Sequence, residues 1–167
     1  MFKIIEADEE LYPVINSIAH RTWPHTFGNI LTETQIAYML DWMYSVPSIR
    51  EQIEKKGHHF ILLQKDDEFI GYASYELNFD KTGNTKLHKI YVLPEQQGTG
   101  AGKILMDDVI KRTLEAENKN LLLNVNRENP TLGFYLKKGF EIIKEEDIDI
   151  GNGYFMNDYV MRFVIRY

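Results

Sequence analysis

Cysteine is absent from the 167 residues of the chain. A chain without thiols cannot form disulfides, thiolate metal sites or a cysteine nucleophile. Long apolar runs are missing too, because stretches such as residues 60–63 and 121–123 are far too short to span a bilayer. The N-terminal MFKIIEADEE has no cationic start followed by a long apolar stretch, so it does not resemble a secretion signal. We therefore expect a cytoplasmic protein without a membrane segment.

The chain also lacks an excess of basic over acidic residues. Nineteen Lys and Arg residues stand against twenty-five Asp and Glu residues, which gives a formal charge of −6. Basic neighbours occur as short scattered pairs, such as residues 55–56, 111–112 and 137–138. Because nucleic acids and anionic membranes attract segregated basic surfaces, neither is an expected partner. With 44% hydrophobic residues, the sequence predicts one compact domain over residues 1–167.

The spacing of apolar residues predicts a mixed α/β fold. A strand over residues 2–6 precedes two helices, the first capped by Asp8 and the second by the capping box of Thr32 and Gln35, and a third helix over residues 48–56 follows. HHFILLQ and FIGYASYELNF predict a hairpin, KLHKIYVL a third strand and NLLLNVN a buried parallel strand. A helix is predicted between KLHKIYVL and NLLLNVN, and a short helix and two strands follow NLLLNVN. The resulting order β-α-α-α-β-β-β-α-β-α-β-β indicates one central sheet.

Residues 94–103 read PEQQGTGAGK, which places three glycines directly before a helix. Glycine tolerates positive φ and close backbone approach, and the first turn of a helix exposes unpaired N–H groups at the positive end of its dipole. The pattern therefore indicates a site for a phosphate-bearing cofactor. It has neither the G-x-G-x-x-G spacing of a dinucleotide fold nor the Ser or Thr that a P-loop needs after Lys103. A glycine-rich turn that binds nothing is the alternative.

Two blocks of the sequence resemble the GNAT superfamily of N-acetyltransferases. Residues 97–102, QGTGAG, are similar to its Q/R-x-x-G-x-G/A signature, and the preceding IYVLP is similar to its strand. Residues 129–140, NPTLGFYLKKGF, resemble the family's N…FYxKxGF segment. The resemblance implies an acetyl-CoA-dependent N-acetyltransferase. It also implies a single central, mostly antiparallel twisted sheet with helices on both faces and a splay between the two central strands.

For the cofactor, the resemblance implies acetyl-CoA held mainly by the backbone. The N–H groups of the glycine-rich turn would bind its diphosphate, and the strand before the turn would pair with its pantetheine arm. Asn129 either contacts that arm or is an N-cap with Pro130 at the first helical position. The implied cofactor-binding residues are Ile90, Tyr91, Val92, Gln97, Gly98, Thr99, Gly100, Ala101, Gly102, Lys103, Asn129 and Tyr135.

For catalysis, the resemblance implies that Tyr135 protonates the departing CoA thiolate; packing of its helix on the sheet is the alternative role. A primary amine with a pKa near 10.4 must lose a proton at neutral pH, which costs about 4–5 kcal/mol, so a base is expected. His88, on one strand face with Ile90 and Val92, lies where some family members carry a carboxylate base. Glu76 in the adjacent strand is the rival base. No spacing such as H-E-x-x-H indicates a metal site.

For the acceptor, the sequence offers aromatic and acidic candidates. Trp23 and Phe27 lie in WPHTF, in the region that shapes the acceptor pocket of the family, and plain core packing is their alternative role. Asp158 lies in an acidic C-terminal third and is the candidate for holding an ammonium group, with solvated charge as its alternative. WPHTF and the ending IDIGNGYFMNDYVM resemble the polyamine-acetylating branch, so a small-molecule amine such as spermidine is the leading acceptor. A peptide or protein amine, a non-catalytic acetyl-CoA sensor, a nucleotide-binding regulator and a homodimer stay open.

Overall fold

The computed structural model describes residues 1–166, which form one seven-stranded sheet and five α-helices. The strands are β1 (Phe2–Glu6), β2 (His59–Lys65), β3 (Glu68–Glu76), β4 (Asn84–Val92), β5 (Asn120–Asn126), β6 (Glu141–Gly151) and β7 (Tyr154–Val164). The helices are α1 (Tyr12–Phe27), α2 (Glu33–Tyr44), α3 (Val46–Glu54), α4 (Ala101–Glu115) and α5 (Leu132–Lys138). Within residues 1–166, no helix combines the length and the apolar character needed to cross a membrane.

The predicted helix caps are present, with small shifts of the helix boundaries. Asp8 caps a short 3-10 turn, Glu9–Leu11, and α1 follows this turn directly. Oγ1 of Thr32 accepts a hydrogen bond from the N–H of Gln35 at 3.0 Å, which confirms the predicted start of α2. Ser45 caps α3 in the same way, so that α3 begins earlier than the sequence pattern predicts.

The sheet is mostly antiparallel, as the resemblance implies. Its strand order is β1-β2-β3-β4-β5-β7-β6. Every neighbouring pair runs antiparallel except β4 and β5, which run parallel. A parallel pair needs a crossover connection, and α4 supplies it. The prediction that NLLLNVN is a buried parallel strand is therefore confirmed.

The two central strands separate after a short paired region. Residues 84–87 of β4 lie opposite residues 120–123 of β5, and the register contains no further pair between these two strands in the described chain. Residues 88–92 and 124–126 therefore form the two sides of a gap at the C-terminal ends of the strands. This gap is the predicted splay.

Helices cover both faces of the sheet. Gly71 of β3 lies against Leu105 of α4, whereas its neighbour Tyr72 packs edge-on against Tyr44 of α2, with ring centroids 5.8 Å apart. Successive residues of a strand point to opposite faces, so α2 and α4 lie on opposite sides. Residues 61–63 of β2 are fully buried, as expected for a strand that is covered on both faces.

A β-bulge at His88 changes the expected side-chain alternation of β4. The register with β3 passes from the residue before His88 directly to Lys89, so His88 has no partner across the strand pair. His88 and Lys89 both contact the segment from α3 to β2, whereas Val92 lies beside Leu105 of α4. The expectation that His88 shares a face with Ile90 and Val92 is therefore wrong. An extra residue in a strand redirects the side chains around it, and bulges recur next to active sites.

Candidate active site

One cavity of about 630 Å³ fills the gap between the ends of β4 and β5. Residues 87–92 of β4 and 123–126 of β5 form its two sides. The glycine-rich turn and the start of α4 close one end, and α1, α2 and the last two strands close the other. The cavity therefore connects the predicted cofactor site with the predicted acceptor site.

The glycine-rich turn presents the N-terminus of α4 to the cavity. Gly100 is the N-cap of α4 with a φ of 88°, and no side chain among residues 1–166 caps this end of the helix. Gly98 has a φ of 82°, and glycine adopts such left-handed angles without strain. A Cβ atom at either position would meet no other atom within 4 Å, so the space above the turn is open. Gly98, Gly100, Gly102 and Lys103 line the cavity at the positive end of the helix dipole, an arrangement that suits an anion.

Two residues of the predicted cofactor set do not reach the cavity. Thr99 donates its hydroxyl to the carbonyl of Gln96 at 2.6 Å, and Ala101 is 1% exposed beneath the turn. The rest of the set lines the cavity: Ile90, Tyr91, Val92, Gln97, Gly98, Gly100, Gly102, Lys103, Asn129 and Tyr135. The side chains in the middle of the turn therefore stabilise it, while its backbone faces the open space.

Asn129 caps the turn before α5. Its Oδ1 accepts hydrogen bonds from the N–H of Thr131 at 2.9 Å and from Oγ1 of Thr131 at 2.7 Å. The helix itself begins only at Leu132, so Pro130 lies before the helix rather than at its first position. Asn129 is 9% exposed and lines the cavity. The two roles predicted for it are therefore compatible.

Tyr135 is buried in the middle of α5 and lines the cavity. Phe134 and Phe140 pack edge-on against its ring, with centroids 5.5 and 5.8 Å away. Burial raises the pKa of the Tyr135 phenol to about 12. The phenol therefore keeps its proton at neutral pH and is available as a donor inside the cavity.

His88 and Glu76, the two rival bases, are in direct contact. Nε2 of His88 lies 3.0 Å from Oε1 of Glu76, and Nε2 of His58 lies 3.4 Å from the same oxygen. The rings of His58 and His88 stack with centroids 4.0 Å apart and planes inclined by 15°. Among these three residues only His88 lines the cavity. Glu76 lies behind His88, so the imidazole separates the carboxylate from the cavity.

Both imidazoles are uncharged at neutral pH. Burial, and then the positive charge of nearby lysines such as Lys89 and Lys56, lowers the pKa of His58 to about 4. Burial lowers the pKa of His88 further below its ordinary value. The same cause raises the pKa of Glu76. Burial therefore favours the neutral form of both imidazoles.

Lys89 is a buried amine next to His88 in the sequence. Its Nζ donates a hydrogen bond to Oε1 of Gln52 at 2.8 Å and lies 5.7 Å from the ring centre of Tyr44. Burial lowers the pKa of Lys89 to about 7. Gln52 is itself fixed because its Nε2 donates to the carbonyl of Met43 at 2.7 Å. The amine is therefore held by Gln52 of α3, although Lys89 belongs to the strand segment that lines the cavity.

The nitrogen and oxygen atoms of His58, Glu76 and His88 lie within 4.8 Å of one another, close enough for a shared metal ion. An imidazole binds a metal with the lone pair in its ring plane. Two imidazoles can therefore share a metal ion only at a position that lies close to both ring planes. The planes of His58 and His88 are nearly parallel and stacked, and no such point lies between them. The arrangement suits one N–H group, that of His88, which donates to the carboxylate while the ring of His58 stacks on the ring of His88. That the site needs no metal stays a prediction.

Asp158 provides an unpaired carboxylate oxygen at the other end of the cavity. It lies in β7, is 5% exposed and lines the cavity. Its Oδ2 accepts a hydrogen bond from Asn124 at 3.3 Å, whereas its buried Oδ1 has no partner among residues 1–166. Burial raises the pKa of Asp158. Nδ2 of Asn124 also donates to Glu146 at 3.1 Å, so a second carboxylate lies beside the first.

Trp23 and Phe27 belong both to the core and to the cavity wall. They are 3% and 2% exposed, their ring centroids are 4.4 Å apart, and both line the cavity. Nε1 of Trp23 donates to the hydroxyl of Tyr44 at 3.2 Å, which links α1 to the end of α2. Core packing and acceptor contact are therefore compatible roles for these two residues.

Residues 31–162 match the family model described as an acetyltransferase (GNAT) domain. The match covers most of the chain. The chain belongs to the GNAT acetyltransferase family. This confirms the resemblance of the two sequence blocks and, with it, the class of enzyme: an acetyl-CoA-dependent N-acetyltransferase.

Relatives of this GNAT protein carry N-acetyltransferase names. An uncharacterized N-acetyltransferase of Mycobacterium bovis is 29% identical over 157 residues, which cover 93% of this chain and 96% of the relative. The [ribosomal protein bS18]-alanine N-acetyltransferase of Haemophilus influenzae is 26% identical over 131 residues, which cover 77% and 81% of the two chains.

Solved structures show the same GNAT fold. PaiA N-acetyltransferase from Thermoplasma acidophilum, crystallised with coenzyme A, has a TM-score of 0.81 at 22% identity and covers 98% of this chain and 99% of its own. The ribosomal-protein-S18-alanine N-acetyltransferase of Escherichia coli has a TM-score of 0.74 at 16% identity, with coverage of 100% and 96%. These likenesses confirm the predicted architecture of the sheet and its helices.

The sequence pattern missed several residues of this GNAT cavity. The apolar stripe of α2 indicated a core helix, yet Met39 and Met43 from that stripe, with Trp42 beside it, also line the cavity. The apolar stripe of α2 is the sequence signal that could have placed Met39 and Met43 in the cavity wall. Asn124 and His58 had no local signal, because their contacts come from strands and loops that are distant in the sequence.

Proposed function

We propose that this GNAT protein transfers the acetyl group of acetyl-CoA directly to a primary amine, and that the amine is a small polyamine such as spermidine. One observation carries the proposal: within residues 1–166, a single cavity joins the uncapped N-terminus of α4 to the unpaired Oδ1 of Asp158. The first end suits a diphosphate and the second an ammonium group. The chain has no cysteine to carry an acyl group, which favours direct transfer.

The backbone would hold the coenzyme. The N–H groups of residues 98–103 would bind its diphosphate, with Gln97 and Asn129 at the sides of the same cavity. Residues 90–92 of β4 have lost β5 as a neighbour, so their backbone groups are available to pair with the pantetheine arm as an added strand. Bound there, acetyl-CoA would supply an activated thioester for acyl transfer.

Tyr135 would donate its phenolic hydrogen to the CoA sulfur as the thiolate leaves. A thiolate has a pKa of about 8.5, well below that of this phenol, so full proton transfer is unfavourable at first. Tyr135 would therefore act first as a hydrogen-bond donor that stabilises the thiolate, and protonation would be completed later.

His88 would accept the proton of the amine, directly or through one water molecule, and Glu76 would hold its ring. The cavity supports this assignment because His88 lines it and Glu76 does not. The rival assignment, in which Glu76 is the base, requires the carboxylate to take the proton of the amine although the imidazole of His88 lies between the two groups. Deprotonation of a primary amine at pH 7 costs about 4–5 kcal/mol, which a base next to the amine reduces.

The carboxylate of Asp158 favours a polyamine acceptor. Asp158 would bind an ammonium group next to the reacting amine, whereas Glu146, on the other side of the bridging Asn124, is already paired with Lys144 and does not line the cavity. The methylene chain would lie against the apolar wall of Trp23 and Phe27. A peptide amine is the second candidate, because the Haemophilus influenzae relative is named as an alanine N-acetyltransferase of a ribosomal protein.

A thiol-release assay with acetyl-CoA tests the proposal. The panel contains spermidine, a monoamine of matched length and a peptide with an N-terminal alanine, and calorimetry measures CoA binding separately. We expect the fastest release with spermidine and no effect of a chelator. Release with the peptide alone would replace the polyamine by a peptide acceptor. CoA binding without release for any amine would indicate a sensor, and failure to bind CoA, or ATP binding at equal affinity, would overturn the cofactor assignment.

The cell compartment and the assembly state stay predictions. We expect a cytoplasmic protein, to be checked by cell fractionation. Light scattering on the purified protein would distinguish a monomer from a homodimer.

A further inference from the structure

The side chain of Asn124 connects a lysine outside the cavity to the carboxylate that lines it. Oδ1 of Asn124 accepts a hydrogen bond from Nζ of Lys86, which reaches it from β4. Nδ2 of the same amide donates to Oε2 of Glu146 at 3.1 Å and to Oδ2 of Asp158 at 3.3 Å. Asn124 and Asp158 line the cavity, whereas Lys86 and Glu146 do not. Lys86 therefore contacts the acceptor end only through Asn124.

The chemistry of these partners determines which way the amide of Asn124 points. An ammonium group only donates hydrogen bonds, and ionised carboxylates only accept them. The amide oxygen must therefore face Lys86, and the two N–H groups must face the carboxylates. In this orientation the oxygen and the nitrogen of the amide both have partners. A turned amide would place its oxygen against two acceptors and its N–H groups against a donor.

Lys86 is held where it can anchor this amide. It lies opposite Leu122 in the short paired region of β4 and β5, and its Nζ is 5.8 Å from the ring centre of Phe79. Among residues 1–166, Nζ of Lys86 forms no direct ion pair with a carboxylate, and Asn124 is its hydrogen-bond partner. The amide thus stands between the resident cation and Asp158.

We propose that Lys86 is a positioning residue for the acceptor amine: it anchors the amide of Asn124, which holds Oδ2 of Asp158 and leaves Oδ1 for an ammonium group. The inference rests on the proposed function, because it treats Asp158 as the ammonium site. Without Lys86, the half-buried Oδ1 of Asn124 would lose its partner. A carbonyl oxygen without a partner would favour rotation of the amide away from the carboxylates.

A purely electrostatic role of Lys86 predicts the opposite effect on acceptor binding. Lys86 is a cation near the place of a bound cation, and the carboxylates of Glu146 and Asp158 interact with its charge. If charge alone mattered, removal of Lys86 would strengthen the binding of spermidine. If Lys86 anchors Asn124, its removal weakens that binding, because Asp158 is no longer held in place. The sign of the change therefore separates the two roles.

Three substitutions test the anchor, with calorimetry of spermidine binding to the CoA complex as the measurement. Lys86→Met removes donor and charge, Lys86→Gln keeps an N–H donor without the charge, and Lys86→Arg keeps both. We expect the Kd of spermidine to rise about tenfold in Lys86→Met, less in Lys86→Gln, and to stay within a few-fold in Lys86→Arg. An unchanged or lower Kd in Lys86→Met would overturn the proposal.

Lys144→Met is the matched control for charge. Lys144 pairs with Glu146 at 2.9 Å and has no contact with Asn124, so the same charge is lost beside the same carboxylates. An equal rise of the Kd in Lys144→Met would assign the effect to local charge and reject the anchor. CoA affinity within a few-fold shows that each variant is folded. If Lys86→Met does not fold, a Kd in Lys86→Gln below that of the unsubstituted protein would reject the anchor, and one at or above it would support it.

Hydrogen exchange of the Asn124 side-chain amide, followed by nitrogen-15 NMR, reads the contact without any amine. We expect slow exchange of both N–H groups in the unsubstituted protein and in Lys86→Arg, and exchange at least about tenfold faster in Lys86→Met. The same exchange rate in Lys86→Met and in the unsubstituted protein would contradict the anchoring role.

Steady-state kinetics give a further measurement. We expect Lys86→Met to raise the KM for spermidine about tenfold and to leave the turnover number within a few-fold, because Lys86 touches no reacting group. A lower turnover number at unchanged KM would rule out the role in acceptor binding. If the unsubstituted protein neither binds nor acetylates spermidine, the proposed function fails, whereas the exchange rates still decide whether Lys86 anchors Asn124.

Discussion

Nδ2 of Asn124 lies 3.3 Å from Oδ2 of Asp158, across the antiparallel pair of β5 and β7. The contact engages one carboxylate oxygen and leaves Oδ1 buried at the cavity wall without a partner among residues 1–166. A buried, unpaired carboxylate oxygen is unfavourable unless a cation or a donor binds it. The contact between Asn124 and Asp158 depends on the pairing of β5 and β7, and it leaves one carboxylate oxygen of Asp158 available to an ammonium group.

Asp158→Asn is expected to weaken acceptor binding. A hydrogen bond to a charged group contributes about 1.5–3 kcal/mol, so the KM for spermidine should rise at least about tenfold, while CoA affinity stays the same. Steady-state kinetics and calorimetry measure the two effects. Glu145→Gln removes the same charge from the exposed surface of β6 and is the matched control. An equal rise of KM in both variants would assign the effect to net charge instead.

Acceptor binding should also depend on pH through Asp158. Burial raises the pKa of this carboxyl above its ordinary value. The carboxylate is charged above that pKa and neutral below it, so the KM for spermidine should rise as the pH falls through the raised value. This rise is expected at a higher pH than for an ordinary aspartate, whose pKa is about 3.9. A KM profile of Asp158→Asn that shows the same rise would contradict the assignment.

Tyr135→Phe is expected to lower the turnover number at least about tenfold and to leave CoA affinity within a few-fold. The substitution removes only the hydroxyl, so the ring keeps its edge-on contacts with Phe134 and Phe140. Single-turnover kinetics and calorimetry check the two parts. Phe134→Leu is a control for packing near the same ring. An unchanged turnover number in Tyr135→Phe would falsify the donor role.

Gly100→Val is expected to abolish CoA binding. A β-branched residue is strained at a φ of 88°, and its side chain would occupy the open space above the turn. Gly83→Val is a matched control, because Gly83 has a φ of 86°, has equally open surroundings and does not line the cavity. Both variants should lose similar stability in thermal melts. Retained CoA affinity in Gly100→Val would refute the anion site at α4.

Much of the fold was predictable from local patterns. Thr32 and Gln35 mark the start of α2, and NLLLNVN marks a buried strand that agrees with β5. The glycine-rich turn was predictable too, because positive φ at Gly98 and Gly100 depends on the residue itself. The predicted start of α3 at residue 48 is too late, because the prediction used apolar residues alone and did not consider the cap at Ser45.

The candidate site was predictable as a set of residues, but not as an arrangement. His88 and Glu76 were separate candidates, and only the strand register brings their side chains within 3.0 Å. The bulge at His88 depends on pairing with β3, which no residue type signals. His58 joins the site because a loop returns to the sheet, and its stacking on His88 is a contact across thirty positions.

The sequence by itself determined the elements, the glycine-rich turn and the family, because caps, periodicity and turn residues act within a few positions of one another. The tertiary structure alone decided the splay of β4 and β5, the bulge in β4, the grouping of His58 with Glu76 and His88, and the burial of Asp158. These features depend on how distant strands and the loop before β2 align, and a shift of register by one residue would turn the strand side chains to the other face.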